Sequence, residues 1–225
     1  IGSGARGKKI GTLDYTSRMI RLLGTLRREM NGAVADGMYA YGRPYGLNYG
    51  VSLPTVRAIA RAEGRDHDFA RYLFKQQVRE LRLTALHMAD PLRIDVAEAA
   101  FWAEGIINSE AAEEAAFAML SGSPYVKEIY GRWSDSDNEL LAYAALMAAA
   151  RGAAGDASVV GSVAEIVARY PSSRIIARGA VALLAAAYET DAARETAIGT
   201  VESLRAASQS FASRYVTDEM SWRME

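Results

Sequence analysis

Apolar residues recur along this chain at spacings of three and four and seldom alternate with polar ones, so helices are expected nearly throughout. Alanine, leucine, arginine and glutamate dominate, and β-branched runs are scarce. Glycine, proline and short polar clusters cut the chain into segments of about 10–18 residues, a usual helix length. These segments predict helices near 14–31, 36–41, 53–63, 67–74, 76–88, 93–104, 109–121, 124–133, 137–152, 157–170, 173–188 and 191–209. Several starts have a mechanism. Pro54 stands where a first helical turn tolerates a missing N–H. Ser136 with Glu139, and Ser162 with Glu165, have capping-box spacing. Asn108 or Ser109 is placed to cap the helix over 109–121, whose first turn is rich in acid.

The later helices pair as 67–88, 93–121, 124–152 and 157–188, the last three about 30 residues long, of the kind that builds helical repeats. "LLAYAALMAAA" (140–150) and "IIARGAVALLAAA" (175–187) are apolar on more than one face, which suits helices sandwiched between neighbours. The expected fold is all-α, an α-solenoid of HEAT-like helical hairpins, with a compact helical bundle as the alternative. One domain over 1–225 is expected, with 1–12 flexible and 210–225 a polar C-terminal tail carrying Trp222.

Composition narrows the chemistry. The chain has no cysteine, which excludes disulfides, thiolate metal sites and cysteine nucleophiles. His67 and His87 are its two histidines, too few for a histidine-built metal centre, so neither metal nor cofactor is expected. No apolar run approaches the roughly 20 residues of a membrane span, and no apolar stretch follows the basic residues of 1–12. The expectation is a soluble cytoplasmic protein. "GSGARGKK" (2–9) imitates two phosphate-loop patterns, but both need a preceding strand, and Lys9 stands where one of them needs a hydroxyl.

Charge is segregated. Residues 1–95 carry 16 Lys/Arg against 9 Asp/Glu, a net +7, and residues 96–225 carry 10 against 18, a net −8. Arginine supplies most of the positive charge, and its planar fork suits phosphate.

The stretch "YGLNYGVSLPTVRAIARA" (45–62) joins a glycine–valine turn to a proline-led helix. "QQVRELRLTALHMADP" (76–91) centres on Arg79-Glu80-Leu81, "WSDSDNELLAYAALMAAAR" (133–151) runs from an asparagine turn into a long helix, and "RIIARGAVALLAAAYE" (174–189) is a later repeat helix. Together they resemble the bacterial DNA alkylation repair family, AlkD-type alkylpurine DNA glycosylases built from HEAT-like repeats. The resemblance covers roughly residues 20–190. It implies release of cationic N3- or N7-alkylpurines, with a carboxylate stabilising the positive charge that develops on the sugar. Aromatic rings hold the cationic base or sugar. In that family the tryptophan and the aspartate lie four residues apart on one helix, a second tryptophan comes from a later helix, and basic residues meet the phosphates.

Counted from Gly122, the resemblance places the family aspartate on Glu114, its tryptophan on Glu110 and the next aspartate on Ala111. The later tryptophan falls on Ala182, counted from Arg178, and an arginine pair on Ala142 and Tyr143. A carboxylate thus survives at Glu114, one methylene longer, while both aromatic platforms and the arginine pair are replaced. The implied function is a divergent family member without glycosylase activity, a DNA-binding or interaction scaffold. The alternatives are an active glycosylase using Glu114, with Trp102 or Trp133 as aromatic surface, and a protein-binding module with no DNA role. Double-stranded DNA, weakly bound, or a protein is the expected partner. Lys127, Arg132, Arg174 and Arg178 are the candidate phosphate contacts, each equally readable as solvated surface charge.

Overall fold

Leu22 and Leu26 lie one turn apart and are buried; Tyr15 and Met19 continue the same stripe half-buried. In the computed structural model, which describes residues 4–38, 45–207 and 209–225 with side chains from Asp14 onward, this stripe belongs to helix α1, Gly4–Arg28. The helix starts well before the expected position and takes in most of the segment expected to be flexible. Once nucleated on the packed stripe, extension needs one further hydrogen bond per residue. Helix α2 is Gly32–Met38, so the end of the expected 36–41 helix falls outside the described residues.

The expected helices of the next segment form, the first two with side-chain caps. Helix α3, Leu53–Glu63, starts at Ser52, whose side chain accepts from the Thr55 amide, with Pro54 in the first turn. Helix α4, His67–Phe74, is capped by Asp66, and α5 is Arg79–Met88. Arg18 of α1 pairs with Asp66 and lies over the Phe69 ring, 4.1 Å from its centroid.

The chain forms two compact units, Ile1–Asp90 and Pro91–Glu225. The second unit begins with a 3-10 turn at Pro91–Arg93. Then come α6 (Val96–Ala103), α7 (Ser109–Ala118), α8 (Val126–Ser134), α9 (Glu139–Gly152), α10 (Ala157–Gly161), α11 (Val163–Arg169), α12 (Arg174–Tyr188), α13 (Arg194–Ala207) and α14 (Phe211–Met224). One layer runs α7 on α9, α9 on α12 and α12 on α14; the other runs α6 on α8, then α8 with α10, then α10 and α11 with α13. Alanines let the first layer close tightly: Ala142, Ala145, Ala149, Ala177 and Ala180 are all buried. A Cβ built on Gly179 would stand 3.0 Å from Leu146 Cβ and 3.1 Å from Tyr143 Cδ2, so α12 meets α9 where a side chain does not fit.

Three local expectations are corrected. Asn138, not Ser136, caps α9, accepting from the Leu140 and Leu141 amides. The Ser162 hydroxyl makes no cap; it donates to the Val159 carbonyl, and the expected 157–170 helix is broken there into α10 and α11. Residues 211–224 are a helix rather than a tail. Ala212, Ser213, Val216, Thr217 and Met220 are its buried stripe, and Ser213 donates to the Leu204 carbonyl. Trp222 on that helix is exposed.

Among the described residues no strand forms, only an isolated bridge between Leu47 and Val78, and no helix is long and apolar enough to cross a membrane.

Candidate functional site

In the first unit, the two sequence signatures around residues 45–62 and 76–91 are halves of one construction. Glu80 and Arg79 are both 0% exposed and pair at 2.9 Å. The Glu80 carboxylate also accepts from the amides of Tyr49 and Val51, and Arg79 donates to the Val51 carbonyl. Leu47 exchanges backbone hydrogen bonds with Gln77 and Arg79. A buried charge pair is tolerated only when its remaining lone pairs and protons are satisfied, and here the 45–52 turn supplies the partners. Gly50 completes the turn with φ +69, in space where a Cβ would fall 2.0 Å from the Asn31 carbonyl oxygen. The Arg-Glu-Leu signature therefore fastens the frame; it faces no solvent.

In the second unit, the acids of α7 divide by face. Asn108 caps the helix, accepting from the Ala111 amide. Glu114, the acid selected by counting from Gly122, is 3% exposed and lies in the core. Glu110 is half-buried. Glu113 is presented toward α9 and α12. Its Oε1 accepts a hydrogen bond of 2.6 Å from the Tyr143 hydroxyl of α9 and stands 3.6 Å from Arg178 Nη2 of α12. Glu113 and Arg178 retain side-chain exposures of 37% and 51%, while Tyr143 is buried. Burial first, and the Glu113 hydrogen bond second, push the Tyr143 hydroxyl well above its ordinary value of 10.0, so it is a neutral donor that the Arg178 charge only partly offsets.

Four residues beyond Glu113, on the same helical face, Phe117 is 42% exposed. The guanidinium of Arg151 covers its ring at 4.5 Å. Acid and aromatic thus lie at the expected separation but in reversed order. The spacing of Glu113 and Phe117 was visible in the sequence, but the order of acid and ring concealed it. The other positions fill with packing: Ala111 and Ala142 are buried and Ala182 is half-buried. Trp102 and Trp133 are core residues, and Trp102 donates its indole N–H to Glu98 at 3.0 Å; neither offers a ring to solvent.

Of the four cations expected to meet phosphates, Lys127 and Arg132 lie on α8, and Arg174 and Arg178 lie one turn apart on α12. Lys127 pairs with Asp156 at 2.6 Å, and that hydrogen bond is the main reason the Asp156 carboxyl lies well below the usual carboxylate range. Arg178 is held by Glu113. Arg174 lies 5.9 Å from the Phe211 ring centroid. Arg132 rims an apolar cavity of about 490 Å³ between Val96, Ala97, Ala100, Trp133 and Leu141. His67 accepts at Nδ1 from the Asp90 amide, closing the α4–α5 pair. No group of three or more metal-ligating side chains occurs among the described residues.

The chain is similar, at 16% identity and a TM-score of 0.69, to a solved structure described as a new family of proteins related to the HEAT-like repeat DNA glycosylases with affinity for branched DNA structures. The match covers 92% of this chain and 94% of that one, and it shows that the paired helices form the HEAT-like repeat fold. No curated protein matches. The family model described as DNA alkylation repair enzyme matches residues 22–170, a span that includes the Arg79–Glu80 clamp, α7 and α9. On that match, the chain belongs to the DNA alkylation repair enzyme family.

Proposed function

We propose that this chain binds DNA weakly as a scaffold and does not excise alkylated bases. One observation carries the reading. At the α7 position where the family's acid would face the sugar, the acid is either buried, as Glu114, or already committed to Tyr143 and Arg178, as Glu113. A carboxylate stabilises a developing sugar cation only if it is aimed and available at the reacting centre, and a misplacement of about 1 Å can cost on the order of 10²-fold in rate. Among the described residues, no tryptophan ring faces solvent beside these acids to hold a cationic base. The affinity of the similarly folded protein for branched DNA supports retention of DNA binding in this fold.

A second reading, base excision by a rebuilt site, has one observation in its favour. Glu113 and Phe117 put an acid and an exposed ring on one face of α7. Titrating linear and branched duplexes at low salt, beside a base-release assay on N7-methylguanine DNA, separates the readings. Salt-dependent binding without release is expected. Release abolished by Glu113→Gln would establish the rebuilt site, and failure to bind any DNA would leave a protein-binding module.

A further inference from the structure

We infer that the solvent face of α1 is a phosphate-backbone docking surface for nucleic acid, an inference that rests on the DNA-binding reading and assigns the contact to the first unit. Ser17, Ile20, Arg21, Gly24, Arg27 and Arg28 are all exposed, and their spacing of three and four makes one continuous stripe opposite the buried Leu22 and Leu26. No acid occurs between Asp14 and Glu29. Among the described residues, Arg21, Arg27 and Arg28 pair with no carboxylate, in contrast to Lys127 and Arg178.

Two of the arginines are held in place. Arg28 donates to the Thr25 hydroxyl at 3.2 Å, and Arg27 lies 5.9 Å from the Tyr49 ring centroid. The platform beneath them is rigid. The Asn31 amide donates to the Tyr49 carbonyl, and Tyr49 is itself held by the Glu80 clamp.

Gly24 is the second observation. It sits mid-helix between Arg21 and Arg27, where glycine disfavours a helix relative to alanine. A Cβ there would meet nothing within 4 Å, so internal packing does not require it. Its effect is to flatten the stripe between the arginines and let a polyanion approach the helix backbone. Arg21 and Arg28 stand about 10 Å apart along the axis, matching three rises of about 3.4 Å along one nucleic-acid strand. Guanidinium forks suit phosphate. An anionic membrane surface is the weaker fit, because a membrane-facing stripe carries bulky apolar groups, and this one has serine and glycine beside a single isoleucine.

The test is a salt series of duplex-binding titrations on the full chain, its Arg21→Ala/Arg28→Ala double variant and Gly24→Glu, with melting curves on each. Because Arg21, Gly24 and Arg28 are exposed and the Arg27 contact with Tyr49 is left intact, both variants are expected to melt as cooperatively as the parent. The double variant is expected to bind at least about tenfold more weakly at low salt, with a log–log salt slope shallower by about 2, since each arginine neutralises one phosphate. Gly24→Glu is expected to bind several-fold more weakly. Unchanged affinity and slope in folded variants, beside a parent that binds, would overturn the assignment and leave the DNA-binding reading standing. A parent that binds no DNA would remove both. Variants that lose binding to phosphatidylserine vesicles while keeping duplex binding would also overturn it.

Discussion

Two acid–arginine pairs, one in each unit, use the same chemistry to opposite ends. Glu80 and Arg79 are fully buried, and amides and a carbonyl of the 45–52 turn complete their hydrogen bonds. Glu113 and Arg178 meet at 3.6 Å, both half-exposed, with the Tyr143 hydroxyl added. Burial makes the first a fastening of the fold, because neither charge can be left alone without water. Exposure makes the second a surface feature that solvent and salt screen. The family signature persists where it holds the frame and has changed where the resemblance places chemistry.

Glu80→Ala breaks the comparison most strongly. It leaves the Arg79 charge and the Tyr49 and Val51 amides unpaired in the core, and is expected to cost about 3–5 kcal/mol. Denaturant melts and hydrogen exchange at those amides would read it. Gly50→Ala comes next, at about 1–3 kcal/mol for the positive φ alone, and a Cβ 2.0 Å from the Asn31 oxygen adds to it. In the second unit, Tyr143→Phe is expected to cost about 0.5–1.5 kcal/mol, the worth of one hydrogen bond. This variant also has a pH signature. The folded hydroxyl titrates above its ordinary 10.0, so its contribution is complete below that pH and is lost as pH rises through the folded value. Melts between neutral and strongly alkaline pH should fall more steeply in the parent than in Tyr143→Phe. Glu113→Gln has the smallest effect on stability, at most about 1 kcal/mol, since both partners are half-exposed. It should tighten DNA binding by removing a negative charge and releasing Arg178.

The helices and their pairing were legible because the apolar spacing and the start signals agree, as at Pro54 and at Asn108. Helix α14 was not, because Ser213 and Thr217 take buried positions and satisfy their hydroxyls within the backbone, which hides its stripe. The break at Ser162 was hidden by a capping-box spacing that the structure uses differently. At the site, counting back from Gly122 crosses a 3-10 turn at Leu120–Gly122 before entering α7. A 3-10 turn has about three residues per turn against 3.6 in an α-helix, so residue counting does not determine which face an acid takes. Adjacent residues on a helix point about 100° apart, which is the difference between Glu114 in the core and Glu113 at the surface. The segregated charge was plain in the composition. Which arginines stay unpaired became visible only once the acids had found their partners.

Single-turnover base release from a duplex carrying N7-methylguanine, with protein in excess and at a salt concentration where binding is measured, tests the central claim most directly. The prediction is a bound duplex that loses its base no faster than free DNA, in the parent and in Glu113→Gln and Glu114→Gln alike. Release by the parent that either substitution abolishes would contradict it and identify the acid that performs the chemistry.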